Sequence, residues 1–340
     1  MIRSIPILLV VVLLFSSCGG LKRLEVSEVS TVFFEYNHAD NINFGTEIEA
    51  KVLAIMLDGK EIDITNNKKL SFVSQDIRRS GIGKKFTLIK RPASFSDNYA
   101  AMTLTVSDDE ETLKILDTVH LNFRGNLTIN ARGQSGNQGI DQQNSGTRIF
   151  FRDGRDGEHG TRGENGITAN DYVAQIWKEE SMVYIYVRNV ADNTEWKYKM
   201  LANAEIIFDL RGGNGGRGGI GGGGGDGKDG KVVDGKSTGP GDGGHGGFGG
   251  DAGNGGNGGS IQVFIHPSAS AVEELLHIRT QGGYGGEGGK GGDGGKPGDV
   301  LSGQIAGAMG QRGSSGRSGM NGSKGTSSIA IIEFDYSQFQ

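Results

Sequence analysis

Six histidines are the first residues with chemistry to offer: His38, His120, His159, His245, His266 and His277. Zinc and general-base sites draw imidazoles from short fixed spacings such as H-E-x-x-H, because two ligands must share one face. No such spacing occurs here. The one cysteine, Cys18, ends an apolar N-terminal run, so a Cys–His nucleophile has no thiol to use. Acidic pairs fall in loops or repeats, where solvation accounts for them. G-x-G-x-x-G recurs across 211–325, but a dinucleotide site needs a strand, a tight turn and a long helix around it, and that context is missing. These residues point to no enzyme, no metal and no cofactor.

Three weaker signals sit in the glycine-rich part. Gly224-Gly225-Asp226-Gly227-Lys228-Asp229 matches the start of the calcium nonapeptide GGxGxD, with Asp226 and Asp229 as the candidate ligands. Lys231 stands where an apolar residue belongs, and no tandem copies follow. Arg211-Gly212-Gly213 and Arg217-Gly218-Gly219 imitate RGG boxes, but a formal net charge of -5 argues against nucleic acid. Ser314, Ser315, Ser318, Ser323 and Thr326 suggest an ice-binding face, interrupted by Arg312, Arg317 and Lys324.

The elements that would position any site are set by glycine. From Gly212 to Gly230, and again from Gly307 to Gly325, every third residue is Gly. A three-residue repeat is that of the polyproline II helix, whose backbone has no internal hydrogen bonds. Its N–H and C=O groups must pair with neighbours or water. Only 5 Pro and short, mostly GGX blocks exclude a collagen triple helix. An intrachain bundle of antiparallel polyglycine II helices fits better, arranged as hairpins at 133–166, 211–259 and 282–325. Blocks reading GGX can be approached on two sides and are expected inside. Gly-X-Y blocks are bare on one side and are expected at the rim. The hairpins rise from β-branched and aromatic strand segments, such as Ile206–Leu210, Ile261–Ile265, Leu276–Arg279 and Ile329–Phe334. Thr147–Arg152 is expected as a further strand, and Ser270–Glu273 as one helical turn.

Ahead of this lies a stretch of ordinary composition, 24–119, with some seven short alternating strands and an Asp58-Gly59 hairpin signal. This size and spacing predict an immunoglobulin-like β-sandwich, similar to the modules repeated in bacterial surface proteins. The fold class is therefore all-β: an N-terminal Ig-like sandwich at 24–119, then a β-sheet domain at 120–340 bearing the glycine bundle.

Residues 1–18 carry Arg3, an apolar core at Ile5–Phe15, and Phe15-Ser16-Ser17-Cys18. This resembles a bacterial lipoprotein signal of the Bacteroidetes type, with Phe15 where Leu is usual. The resemblance implies lipidation at Cys18 and an outer-membrane location, held in the membrane by acyl chains. Asp117-Thr118-Val119 resembles the short O-glycosylation pattern of the same bacteria, with Thr118 the acceptor. Residues 133–325 resemble the polyglycine II sandwiches of phage tip adhesins, snow-flea-type antifreeze proteins and mycobacterial PGRS domains. In the adhesins the loops joining the helices are the recognition surface. The resemblance implies tip contacts at Lys231, Val232, Val233, Asp234 and Lys236 in one loop, and Asp299, Val300, Leu301 and Gln304 in the other. The expected function is a non-enzymatic, structural or adhesive surface module whose partners are outer-membrane proteins or surface glycans. The alternatives are an accessory lipoprotein of an outer-membrane complex and, more distantly, a carbohydrate-binding or carbohydrate-active protein.

Overall fold

A computed structural model describes residues 24–80, 83–146 and 152–339. The signal segment with Cys18 and most of the strand expected at 147–152 lie outside the described residues. The fold is predominantly β.

The N-terminal unit has β1 (Val29–Tyr36), β2 (Glu47–Met56), β3 (Glu61–Asp63), β4 (Leu70–Val73), β5 (Ile77–Arg79), β6 (Lys85–Leu88), β7 (Tyr99–Ser107) and β8 (Thr112–His120). One sheet runs β1-β2-β6-β5 with β3 on β2, and the other runs β4-β7-β8. Alternation decides which side faces in: Ala100, Met102, Leu104 and Val106 are buried along β7 while their neighbours are not. Phe34, Phe72 and Phe86 meet between the sheets, with Phe34 edge-on to Phe86 at 4.8 Å. Asp58-Gly59 makes the expected turn between β2 and β3, with Gly59 at φ 82°.

The second unit has β9 (Leu127–Asn130), β10 (Tyr172–Glu179), β11 (Met182–Asn189), β12 (Glu195–Leu201), β13 (Ile206–Asp209), β14 (Lys231–Val233), β15 (Lys236–Thr238), β16 (Ile261–Ile265), β17 (Leu276–Arg279) and β18 (Ser327–Ile331). A short 3-10 helix at Pro267–Leu275 stands where a single helical turn is expected. The small sheet is β17-β13-β9, all parallel, and the large sheet is β12-β11-β10-β16-β18. Each glycine hairpin leaves a strand of the small sheet and re-enters a strand of the large one. That routing makes β10, β16 and β18 parallel to one another, although no helix crosses over between them.

The two units share one apolar core. Phe44 packs edge-on to Tyr198, and the Thr128 N–H donates to the Phe44 carbonyl at 3.2 Å. Gly45 (φ 81°) lies so close that a Cβ there would strike Thr128. His120 belongs to the last strand of the first unit and not to the second.

Candidate binding surface

Six glycine-periodic runs leave the sheets: I (131–146), II (152–171), III (210–230), IV (239–260), V (280–298) and VI (304–326). Successive runs are antiparallel, and they stack as a two-layer zigzag in chain order. Two hydrogen bonds per triplet hold each interior run. The first glycine of the triplet donates to the run two ahead: Gly133 to the Arg211 carbonyl, Gly212 to Gln281, Gly243 to Ala308, at 2.9–3.0 Å. The second donates to the preceding run: Gly213 to Ile167, Gly244 to Gly225, Gly283 to Gly256, at 2.8–3.0 Å.

The same lattice dictates where glycine is obligatory. A Cβ on the first position would strike the carbonyls of the next run, as Gly218 would meet Gly250. A Cβ on the second would strike those of the run two behind, as Gly250 would meet Thr161. Runs III, IV and V have neighbours on both counts and read GGX, except that Ala252 takes one first-column place in run IV. Runs I and II have no run two behind, and run VI has none ahead. Each of those three keeps one glycine column. GGX blocks are inside and Gly-X-Y blocks at the rim, as the sequence predicts.

The third N–H of each triplet belongs to the X residue and points outward. Where the X residue of the run two behind has a short acceptor side chain, that side chain accepts it. Asp156 Oδ1 takes the His245 N–H (2.7 Å), Asn165 Oδ1 takes Asn254 (2.8 Å), Asp251 Oδ1 takes Arg317 (2.8 Å), and Asp141 Oδ1 takes Ile220 (2.8 Å). His159 and His245 do the same through Nδ1 for Phe248 and Gln311, both at 2.9 Å. An Nδ1 acceptor requires the ring proton on Nε2. The His159 ring also lies flat against Phe248, centroids 4.7 Å apart. Asp141 and Asp251 are held below the usual carboxylate range, first by the backbone N–H each accepts and then by Arg217 and Arg317. Sequence reasoning missed this role. Its signal was present: short acceptors occupy most X positions of runs II and IV, Arg162 and Phe248 excepted, whereas run V carries Tyr284, Glu287, Lys290, Asp293 and Lys296.

Asp226 and Asp229, the candidate calcium ligands, serve the same ladder. They accept the N–H groups of Lys296 (2.7 Å) and Asp299 (2.8 Å). Among the described residues no group of three His, Cys, Asp or Glu could hold a metal ion.

At the far end the two predicted loops come together. Lys231–Thr238 is a small antiparallel hairpin of β14 and β15, turned by Asp234 (φ 50°) and Gly235 (φ 73°). Two consecutive left-handed residues are what a two-residue hairpin loop requires. Asp299 is tied to run III: its carbonyl accepts the Gly230 N–H at 2.8 Å. Gln304, expected as a contact residue, clamps the two loops together. Its Nε2 donates to the Thr238 carbonyl and the Ser237 hydroxyl, each at 2.9 Å, while its Oε1 accepts from the Leu301 N–H at 3.2 Å. Lys231, Val232, Val233, Asp234, Lys236, Asp299, Val300 and Leu301 are exposed. Ile305, which the sequence reading passed over, joins them at 89% exposure. The tip therefore exposes aliphatic side chains on both loops, among charges of both signs.

A second concavity lies at the other end of the bundle. It is an open cleft of about 740 Å³ between β5, the segment after β6 and the start of run I, lined by Arg78, Lys90, Arg91, Asn130, Arg132 and Gln134. Arg91 lies over the Trp196 ring at 4.4 Å and donates to the Asn130 carbonyl. Comparison with family models, with curated proteins and with solved structures finds no match.

Proposed function

We propose that this chain is a non-enzymatic envelope lipoprotein, a rigid structural or adhesive module that presents its hairpin tips to a partner. In this reading the six runs are polyglycine II helices, the N-terminal unit is an Ig-like spacer, and Cys18 carries the lipid anchor to the outer membrane. The observation that carries it is the tip itself. Val232, Val233, Val300, Leu301 and Ile305 are exposed aliphatic residues at the end of a backbone-bonded rod, and Gln304 fixes the two loops that bear them. Exposed apolar side chains on a rigid support are what recognition sites use.

Binding of the labelled full chain to outer-membrane fractions and to surface glycans, compared with the Val232→Asp/Leu301→Asp double variant, tests this. The proposal expects a loss of at least tenfold in the variant. Equal binding by both proteins sinks the tip as the contact surface. The second reading, an accessory subunit of an outer-membrane complex, draws on the Arg-lined cleft, whose guanidinium groups suit an acidic partner segment. It expects stoichiometric co-purification that survives the tip changes and is lost in Arg78→Ala/Arg132→Ala.

A further inference from the structure

The bundle and the sheets beneath it end differently on the side of runs V and VI. The bundle is closed. Run VI carries Met309, Arg312, Ser315, Ser318, Asn321 and Lys324 in the column where a further run would demand glycine. Two of these turn back on run V: Asn321 Oδ1 accepts the Gly285 N–H (2.8 Å), and the Ser318 hydroxyl accepts that of Gly288 (3.4 Å).

The sheets are open. Among the described residues β18 is an edge strand, paired only with β16. Its ladder is bracketed by Ile261 N–H to Thr326 and Ile332 N–H to Ile265. A parallel ladder uses alternate residues, so the backbone N–H and C=O groups of Ser327, Ile329 and Ile331 lie on the free edge. Ile329 and Ile331 register with Val263 and Ile265, which are buried in the core. They therefore point to the core side, yet they are 40% and 46% exposed because no described residue covers them. Beside them Leu276 and Ile278 of β17, the facing edge, are only half-buried. The C-terminal segment does not help. Tyr336 and Phe339 cross to Trp177 and Tyr186 on the outer face of the large sheet. Natural edges are usually blunted by lysine, proline, a bulge or a cover. Ser327–Ile332 has none of these.

We infer that β18 is the interface for a second copy of this chain, joined antiparallel across a two-fold axis at Ile329. Self-complementarity picks this occupant. Antiparallel pairing sets Ile329 opposite itself and Ser327 opposite Ile331. It keeps both small sheets on the same side, so the two open core ends close on each other. It also brings Lys324 of one copy level with the Glu333–Phe334 segment of the other, twice. A parallel arrangement would set Lys324 against Lys324 and Glu333 against Glu333. Glu333 already touches His266 Nε2 at 2.8 Å, but its side chain remains 78% exposed and open to a second cation. The N-terminal unit docks around β9, β10 and β12, away from this edge. The resulting dimer is a continuous sheet whose two bundles point in opposite directions.

The test is the molar mass of the full chain in detergent, from light scattering corrected for bound detergent. The expected result is a dimer, converted to monomer by Ile329→Lys, which places two ammonium groups on the axis. An unchanged circular dichroism spectrum certifies that variant as folded. Lys324→Glu and Glu333→Lys, both outside the strand, should each weaken association about tenfold, on the order of 1.4 kcal/mol, and the double exchange should restore it. A monomer at concentrations on the order of 100 µM, or a dimer indifferent to Ile329→Lys and to the exchanges, overturns the inference. A fixed complex with a different chain at this edge overturns it equally.

Discussion

The N-terminal sandwich and the glycine bundle are stabilised by opposite means. In the sandwich, buried side chains such as Phe34, Phe86 and Leu104 fill the space between two sheets. Removal of apolar surface from water drives that assembly. The bundle has no side-chain core, because its interior positions are glycine apart from Ala252 in run IV, whose methyl is buried, and its larger side chains point outward. What holds it is a lattice in which the three N–H groups of an interior triplet go to three different neighbours. Ordering that much glycine costs more chain entropy than ordering any other residue, and the individual bonds are each modest in net value. The bundle therefore depends on its main-chain bonds between runs, whereas the sandwich depends on volume being filled. The sign of a harmful substitution reverses between them: large to small damages one, small to large damages the other.

That reversal can be broken or sharpened by experiment. The largest effect is expected from Phe86→Ala, about 3–5 kcal/mol as for other buried aromatic truncations, read from urea unfolding. Next comes Gly218→Ala, one methyl larger. Its Cβ meets the Gly250 carbonyl, a backbone atom that cannot swing aside, so a loss of about 3 kcal/mol is expected. Hydrogen exchange should rise across runs III to V and stay unchanged in β1 to β8. If Gly218→Ala is neutral, the first column tolerates a methyl there as it does at Ala252, and glycine is not obligatory at that position.

A smaller loss, about 1 kcal/mol, is expected for Asn144→Ala. Asn144 accepts the outward N–H of Gly223 at 2.8 Å, and Asn144→Asp should retain most of the stability. Arg155→Ala, in the column of run II that no neighbour approaches, should fall within about 0.5 kcal/mol. A large loss there would show that the rim rule fails.

Acid should weaken the sandwich through Asp63. Burial opposes its ionised form. Lys84, at 2.7 Å, and the Thr65 hydroxyl and N–H outweigh that and lower its pKa to about 2. A folded value below the unfolded one of about 3.9 means that the contribution is complete above about pH 4. It is lost as the pH falls towards 2. Asp63→Asn should therefore narrow its stability gap from the parent across that window. A constant gap would contradict the assignment.

Much of this architecture was legible in the sequence, for a physical reason. The bare positions of a three-residue repeat report directly on neighbours, so GGX and Gly-X-Y blocks sort into inside and rim without any structure. Strand positions were legible from β-branched and aromatic runs. What could not be read was connectivity across distance. The ladder pairs residues 66 to 89 positions apart, and nothing local marks His159 as the acceptor for Phe248. The bonds Gln304 makes between the two loops were hidden for the same reason. An exposed-looking loop glutamine and a clamp between two loops have identical local sequence. The parallel order of β10, β16 and β18 likewise follows from how the hairpins are routed.

The three-residue repeat leaves one ambiguity for the molecule itself to resolve. Sliding a run by one triplet against its neighbours keeps glycine opposite glycine and preserves nearly every main-chain bond. Several alignments are thus close in energy along the middle of the bundle, as in any pattern weakly specified by its own period. The distinctions come from places where the repeat is broken: the strands at the base, the β14–β15 loop at the tip, and non-equivalent pairs such as the stacked His159 and Phe248. Folding of this bundle is then a matter of finding the right frame, and mis-framed chains are its characteristic kinetic trap.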